Sequence, residues 1–198
     1  MTTVAHRRAA ALCLLTLTLA APACRPALRS TDVSPETRAA LETRAAAAAD
    51  GLMATLMGEL TTAMAKGGPE GAVRVCGEVA ERIAAESATR DVRVRRTSLR
   101  FRNPANAPDT FERGVLEDWA RGNVSVRSEI AQGPDGPELR WMRPIVLKSV
   151  CTSCHGAPEQ MPAGVRTALQ ERYPQDLATG YADGDLRGAF SVRIPVPR

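Results

Sequence analysis

The sequence Cys151-Thr152-Ser153-Cys154-His155 constrains this chain most, because it has the spacing C-x-x-C-H. In an exported protein this spacing is the signal for covalent attachment of c-type haem. Two thiols at this spacing reach the two vinyl groups of one porphyrin, and the adjacent imidazole is held at the iron. The sequence therefore predicts one covalent haem c, attached through Cys151 and Cys154, with His155 as an axial iron ligand.

Two other chemistries use closely spaced cysteines. A thioredoxin-like dithiol opens a helix after a strand, whereas this motif runs into Gly-Ala-Pro at 156–158, which favours a loop. A zinc site needs four ligands, and Cys76 would complete a Cys₃His set with the motif. A haem-free zinc or dithiol module is therefore the less favoured alternative.

The N-terminus predicts export. Basic residues at 6–8 precede an apolar run that is too short to span a bilayer, and small residues follow just before Cys24. We assign residues 1–23 to a signal peptide, 24–33 to a linker and 34–198 to the haem domain.

Cys24 is a candidate lipidation site. It directly follows the predicted cleavage site, as in bacterial lipoproteins, although Ala21 stands where the lipobox pattern usually has Leu. Ordinary cleavage that leaves an unmodified Cys24 is the alternative. The predicted location is the periplasm or cell envelope. A lipid anchor is the only membrane attachment expected, since no later segment has 18 consecutive apolar residues.

The charge balance does not favour a nucleic-acid partner. The chain has 26 basic and 22 acidic residues, a net charge of +4. Without Arg7 and Arg8 of the leader the balance is 24 to 22, or +2, so the mature chain is nearly neutral. The sequence also shows no evident carboxylate pair or nucleophile–base set, so we expect a binding protein rather than an enzyme.

Helical periodicity dominates the first half of the domain. Ser34 and Pro35 form a favourable helix start, apolar residues recur at helical spacing over 35–66, and Gly-Gly-Pro at 67–69 ends the helix. A second helix is predicted over 69–88. The apolar stripe of the long helix either covers a sheet or forms a homodimer.

Alternating segments dominate the second half. They predict a strand at 92–94, a hairpin of 124–130 with 139–145, and a last strand at 186–196, with helices at 109–122 and 165–173. In the last strand Leu186 and Phe190 are expected to share a face. Pro195 and Pro197 favour a position at the sheet edge. The order predicts an α+β fold with an antiparallel sheet, a long N-terminal helix and flanking helices.

Five segments carry a resemblance to a known family: AVRVC at 72–76, RTSLRFRNPAN at 96–106, CTSCHG at 151–156, ATGY at 178–181 and GDLRGA at 184–189. Together they resemble the single-haem c-type cytochromes with a PAS-like fold, over residues 35–196. The resemblance implies a PAS-like antiparallel sheet and a covalent haem. It also implies His155 and a Cys76 thiolate as axial ligands, and a role as a redox or gas sensor.

The residues alone leave the second axial ligand open. His6 leaves with the leader, so two histidines from one mature chain are excluded. Cys76 has no other assignment as a ligand, and a thiolate favours ferric iron, while a buried structural cysteine is the alternative role for this residue. Met142, on the predicted hairpin, is the main alternative ligand. The other candidates are Met161, Met53, Met57, Met64 and an open or water-filled site.

Arg96, Arg100 and Arg102 lie in a stretch crowded with arginines. A guanidinium forms a two-pronged contact with a carboxylate, so these residues are candidates to pair with the haem propionates. The alternative is a solvated strand face.

Two functions compete for such a protein. A redox or gas sensor, with CO or NO as ligand, is expected to lose one iron ligand on reduction. A periplasmic electron-transfer cytochrome c is expected to keep both ligands, because reorganisation is then small. An unidentified redox or signalling protein is the expected partner in either case.

Overall fold

A computed structural model of the chain describes residues 32–76, 78–87 and 91–197. The predicted signal peptide, Cys24 and most of the predicted linker lie outside the described residues, and so does the side chain of Cys76. The helices are α1 (Pro35–Val73), α2 (Glu78–Ser87), α3 (Thr110–Ala120), α4 (Thr152–His155) and α5 (Ala163–Arg172). The strands are β1 (Arg93–Thr97), β2 (Arg127–Gly133), β3 (Gly136–Val146) and β4 (Leu186–Pro195).

The four strands form one antiparallel sheet in the order β1-β4-β3-β2. Together with the long α1 and the flanking helices, this sheet confirms the predicted α+β fold class. Within the described part of the chain, no helix combines the length and apolar character needed to cross a bilayer.

The apolar stripe of α1 covers one face of the sheet. Its buried residues recur every three or four positions, so they form one side of the helix. This stripe consists of Leu41, Ala45, Ala49, Leu52 and Leu56. It packs against Val94, Leu139, Trp141, Phe190, Val192 and Ile194 of the strands. Each fully buried leucine contributes about 1.5–3 kcal/mol through loss of contact with water.

The predicted hairpin is present, but its first strand begins later than expected. β2 and β3 pair from Arg127↔Met142 to Gly133↔Gly136. Val124 and Val126 precede β2 and are exposed, so their alternation does not mark a strand.

The last strand lies inside the sheet, so the prediction of an edge position is wrong. β4 pairs with β3 along its length and with β1 from Arg93↔Arg193 to Thr97↔Ala189. Pro195 ends β4 beyond the ladder with β1. The missing N–H of Pro195 therefore removes no hydrogen bond between β4 and β1.

A β-bulge near the start of β4 changes the face that Leu186 occupies. The register shifts between Ile145↔Gly188 and Val146↔Leu186, which leaves Arg187 as the extra residue. Phe190 packs beneath α1, whereas Leu186 packs with the apolar residues next to α3. The expectation that Leu186 and Phe190 share a face is therefore wrong.

Asp109 ties α3 to the opposite face of the sheet. The predicted capping box is present: the Glu112 N–H donates to Asp109 Oδ1 at 2.9 Å, and the Asp109 N–H donates to Glu112 Oε2 at 3.0 Å. Asp109 Oδ2 also accepts from Arg140 at 2.7 Å and from Arg193 at 2.5 Å. One carboxylate thus caps the helix and anchors it to β3 and β4.

The helix α1 is kinked at Gly67 and Gly68. Gly68 has φ 61° and ψ −166°, a conformation essentially restricted to glycine. The predicted break falls at this kink, but helical structure resumes and continues to Val73. A 3₁₀ turn at Arg74–Cys76 follows, and α2 is therefore shorter than the helix predicted over 69–88.

We expect Asp109→Asn to destabilise the protein at pH 7 and to have less effect in acid. Burial raises the pKa of Asp109, but hydrogen bonds from Glu112, Arg140 and Arg193 outweigh this and hold the pKa below its ordinary value. Such a carboxyl contributes stability above its unfolded pKa of about 3.9, and this is lost as the pH falls through the folded pKa. Asparagine keeps a side-chain oxygen that can cap the helix, so the variant measures the contribution of the ion pairs separately from that of the cap.

Urea unfolding of the Asp109→Asn variant at a series of pH values checks this expectation. The control is Asp135→Asn, which removes a carboxylate from an exposed position in the hairpin turn. A difference from wild type that stays constant from neutral to acid pH would contradict the explanation.

We expect Gly68→Ala to lower the free energy of unfolding by about 1–3 kcal/mol, because alanine is strained in this backbone conformation. Gly58→Ala is the matched control: it lies in the regular part of α1, where alanine gains about 0.5–1 kcal/mol over glycine. Neither added methyl group meets another atom within 4 Å. Chemical denaturation should therefore show effects of opposite sign, and effects of equal sign would refute the assignment of strain.

Candidate functional site

A cavity of about 400 Å³ lies where α1, the ends of β3 and β4, and the C-x-x-C-H motif meet. This volume is within the range of ligand and cofactor sites. Cys151 and His155 of the motif line it. Most of the remaining wall is apolar and includes Met53, Leu56, Met57, Leu60, Val75, Phe101, Ile145, Val146, Leu147, Val150 and Phe190.

The motif lies on a short helix and not in the predicted loop. A 3₁₀ turn at Ser149–Cys151 leads into α4. The hydroxyls of Thr152 and Ser153 donate to carbonyls three residues earlier, at 2.6 and 2.9 Å. Gly156 follows the last helical residue, and a Cβ there would lie 2.6 Å from the Thr152 carbonyl oxygen. The glycine that favoured a loop therefore marks the end of the helix.

His155 is held as a neutral imidazole at the cavity wall. Its Nδ1 lies 2.8 Å from the carbonyl oxygen of Ala178, and since a carbonyl only accepts, Nδ1 carries the proton and donates. Burial lowers the pKa of His155 well below its ordinary value, and the positive charges of Arg102 and Arg187 lower it further. Nε2 therefore keeps its lone pair, which is the state in which imidazole binds a metal.

Arg102 is 4% exposed and joins the segments around His155. Its Nε donates to Asp176 Oδ2 at 2.9 Å, and its Nη2 donates to the Cys154 carbonyl at 2.5 Å. Asp176 Oδ1 in turn accepts from the N–H of Ala178 at 2.8 Å, so this ion pair also fixes the residue that orients His155.

One terminal nitrogen of Arg102, with its two N–H donors, is left for a ligand. Nη1 is buried and has no hydrogen-bond partner among the described residues. Buried polar groups are nearly always hydrogen-bonded, and Arg102 lines the cavity. An anionic acceptor in the cavity would therefore satisfy this group.

The three arginines proposed from the sequence are not placed alike. Arg96 and Arg102 line the cavity, together with Arg187, whereas Arg100 does not. Arg100 donates to two backbone carbonyls in the 177–179 segment and lies against the ring of Tyr181. None of the described residues that line the cavity is acidic. The cavity thus presents an electropositive side to its contents.

Sequence reasoning did not single out Arg187. The bulge in β4 directs it to the cavity, and Gly188 accompanies that bulge. A Cβ at Gly188 would lie 2.4 Å from the Thr97 carbonyl oxygen, so glycine permits the close approach of β4 to the segment after β1. A glycine within the last predicted strand is the signal that could have indicated a bulge.

Three of the methionines weighed as iron ligands do not line the cavity. Met142 is fully buried on the sheet face that α3 covers, beside Leu116 and Trp119. Met161 is buried in a separate cluster with α5. Met64 is also absent from the cavity wall.

Other candidates lie at the cavity or next to it. Met53 and Met57 line it from α1 and are 37% and 42% exposed. The side chain of Cys76 lies outside the described residues, but its neighbour Val75 is buried and lines the cavity. The chain thus brings Cys76 to the same region as His155.

The donor set fits an iron porphyrin. Cys151 and Cys154 are half-buried and form no disulfide, and His155 offers an unprotonated Nε2. The apolar wall suits a macrocycle, and the unpartnered N–H of Arg102 suits a carboxylate. Within the described residues, no cluster of three or more His, Cys, Asp and Glu side chains is placed to hold a bare metal ion.

Fold and site define an α+β domain with a cofactor-sized cavity between a long helix and an antiparallel sheet, with Cys151 and His155 of the C-x-x-C-H motif at its wall. A model of the Tll0287-like family matches residues 29–195, and the chain belongs to this family. It is similar to the crystal structure of the cyanobacterial heme-protein Tll0287, with a TM-score of 0.58 and 26% identity. The match covers 84% of this chain and 99% of that one. No curated protein matches the chain.

We expect Asp176→Asn to lower the free energy of unfolding by about 3 kcal/mol, because it leaves the guanidinium of Arg102 buried without its counter-charge. Asp183→Asn, at an exposed position seven residues further on, is the control and should change stability little. Urea unfolding of both variants checks the expectation. Equal stabilities would show that the Arg102–Asp176 pair does not hold the site together.

Proposed function

We propose that the chain is an exported haem-binding protein that carries one covalent haem c in a PAS-like domain and serves as a redox or gas sensor of the cell envelope. The observation that carries this proposal is the state of His155 at the cavity wall. Its Nδ1 is anchored by Ala178, its Nε2 is free to bind iron, and Cys151 lines the same cavity. The similarity to a heme-protein supports the cofactor.

Different residues of the chain hold different parts of the haem. Cys151 and Cys154 form thioether bonds, and His155 binds the iron on one side. Arg102 and Arg96 neutralise the propionates, since guanidinium groups form strong bonds with carboxylates. The bound haem supplies an iron that exchanges one electron and binds small gases at an open coordination position.

We assign the second axial position to the thiolate of Cys76. The adjacent Val75 forms part of the cavity wall, so the turn that contains Cys76 reaches the site. Positive charge from the arginine side chains of the wall favours an anionic ligand over a neutral one. Met53 and Met57, which also line the cavity, are the alternatives.

The position of Cys76 supports a sensor. It lies just beyond the kink of α1, and α1 lines the cavity before that kink. Val73, between the kink and Cys76, packs against α5. A change in the position of Cys76 would therefore alter the packing of α1 against α5. This packing would transmit a change at the cofactor site to the protein surface.

An electron-transfer cytochrome is the second candidate function. Val150 and Met57 at the cavity wall are 69% and 42% exposed, so the cavity opens at the protein surface. A partner protein that docks there would approach the cofactor closely. For both functions we propose that the chain binds the haem and does not catalyse a reaction on a substrate.

We further propose export through the signal peptide at 1–23 and lipid attachment at Cys24. Cell fractionation tests this directly: Cys24→Ser should release the protein from the membrane fraction into the periplasm. Recovery of both this variant and wild type in the periplasmic fraction would exclude the lipid anchor and would still support export.

Optical and EPR spectra of mature protein, made with c-type cytochrome maturation, test the cofactor and its ligands. We expect a mass increase of one haem that is lost in the Cys151→Ala/Cys154→Ala double variant. We expect a low-spin ferric thiolate spectrum that Cys76→Ala abolishes and that Met53→Leu and Met57→Leu leave intact. An unchanged Cys76→Ala spectrum would overturn thiolate ligation, and absence of covalent haem would overturn the proposed function.

The same preparations separate the two functions. If the protein is a sensor, reduction should remove the thiolate signature and permit CO binding. If both ligands persist in the reduced state and CO does not bind, the protein is the electron carrier.

A further inference from the structure

A second cleft, of about 240 Å³, borders the segment that carries Arg187. It is formed by α3, the start of β4 and the segment after β1. Its apolar floor consists of Leu99, Leu116, Ala120 and Leu186. The bulge in β4 creates this floor, because it turns Leu186 toward α3.

Two guanidinium groups stand at the polar side of the cleft. Arg100 and Arg187 both lie against the ring of Tyr181, with 4.2 and 5.5 Å from guanidinium carbon to ring centroid. Their hydrogen bonds go to backbone carbonyls: Arg100 to the 177–179 segment and Arg187 to the Arg100 carbonyl at 3.1 Å. No carboxylate of a described residue forms an ion pair with either.

Neither guanidinium of this pair is therefore in direct contact with a carboxylate of a described residue. Burial lowers the pKa of Arg187, and the charges of Arg102 and Arg96 lower it further, although Tyr181 and Asp176 act in the opposite direction. Asp185 is the acidic residue of the cleft, and its Oδ2 accepts from the backbone N–H of Ala182 at 2.7 Å. The cleft thus contains two guanidinium groups and one carboxylate, that of Asp185, which already accepts a hydrogen bond from the backbone.

We propose that this cleft binds a small organic carboxylate with a short apolar body. The carboxylate would contact Arg100 and Arg187, and the apolar part would cover the floor next to α3. A guanidinium is the group that pairs best with a carboxylate, and the leucines of the floor favour an acid with an alkyl chain over an inorganic anion.

Arg187 lines both this cleft and the larger cavity, and Ser98 and Gly188 also border both. An anion bound at Arg187 places negative charge near the cofactor, which favours the oxidised iron. Bound carboxylate should therefore lower the midpoint potential. This effect rests on the proposed function, whereas binding to the cleft does not.

Calorimetric titration of the mature holoprotein with butanoate tests the site. We expect saturable binding that weakens with added salt and that butanamide, the neutral analogue, does not show. Arg100→Gln should weaken binding about tenfold, through loss of a charged hydrogen-bond donor. Ala120→Phe, which fills the cleft from an exposed position on α3, should abolish it.

The matched control is Arg82→Gln, which removes an exposed arginine remote from the cleft and should bind butanoate like wild type. Equal weakening in Arg82→Gln and Arg100→Gln would show a non-specific charge effect and overturn the proposal. Phosphate binding as tight as butanoate would overturn the organic class. A protein that carries covalent haem but shows no saturable binding would reject this site and leave the proposed function standing.

Discussion

The buried guanidinium of Arg102 is the interaction on which the rest of the site depends. A charge in the interior costs several kcal/mol unless it is paired and fully hydrogen-bonded. Here Asp176 supplies the counter-charge and the Cys154 carbonyl a further acceptor, so three distant segments meet at one side chain. Through Asp176 the same group fixes Ala178, which holds His155 in one tautomer. The geometry of the histidine thus follows from an ion pair that the histidine itself does not touch.

Much of this fold could be predicted from sequence patterns that lie within a single helix, hairpin or turn. The stripe of α1, the hairpin and the Asp109 capping box each depend on residues within one element or one turn, so the sequence contains their signals. The position of β4 does not follow from such signals, because it depends on which strands flank it. Pro195 was misleading for this reason: its effect depends on where the neighbouring strand ends.

The candidate site also has one part that the sequence predicts and another that depends on distant contacts. Spacing alone made Cys151, Cys154 and His155 candidates, and the structure places Cys151 and His155 at the cavity wall. Arg100 and Arg102 are two positions apart and equal in sequence terms, yet one is held outside by backbone carbonyls and the other inside by a carboxylate. Those partners come from the segment at 176–179, far along the chain, and no local pattern reveals them.

The walls of the large cavity have a consequence for how the protein is made. They combine α1, from the start of the domain, with β4, from its end. Contacts between distant positions form late and slowly, because the long intervening loop must first be closed. The cavity is therefore complete only when the last strand lies between β1 and β3. Before that point the motif thiols are accessible to solvent, so a group attached to them at that stage would be enclosed when the sheet is completed.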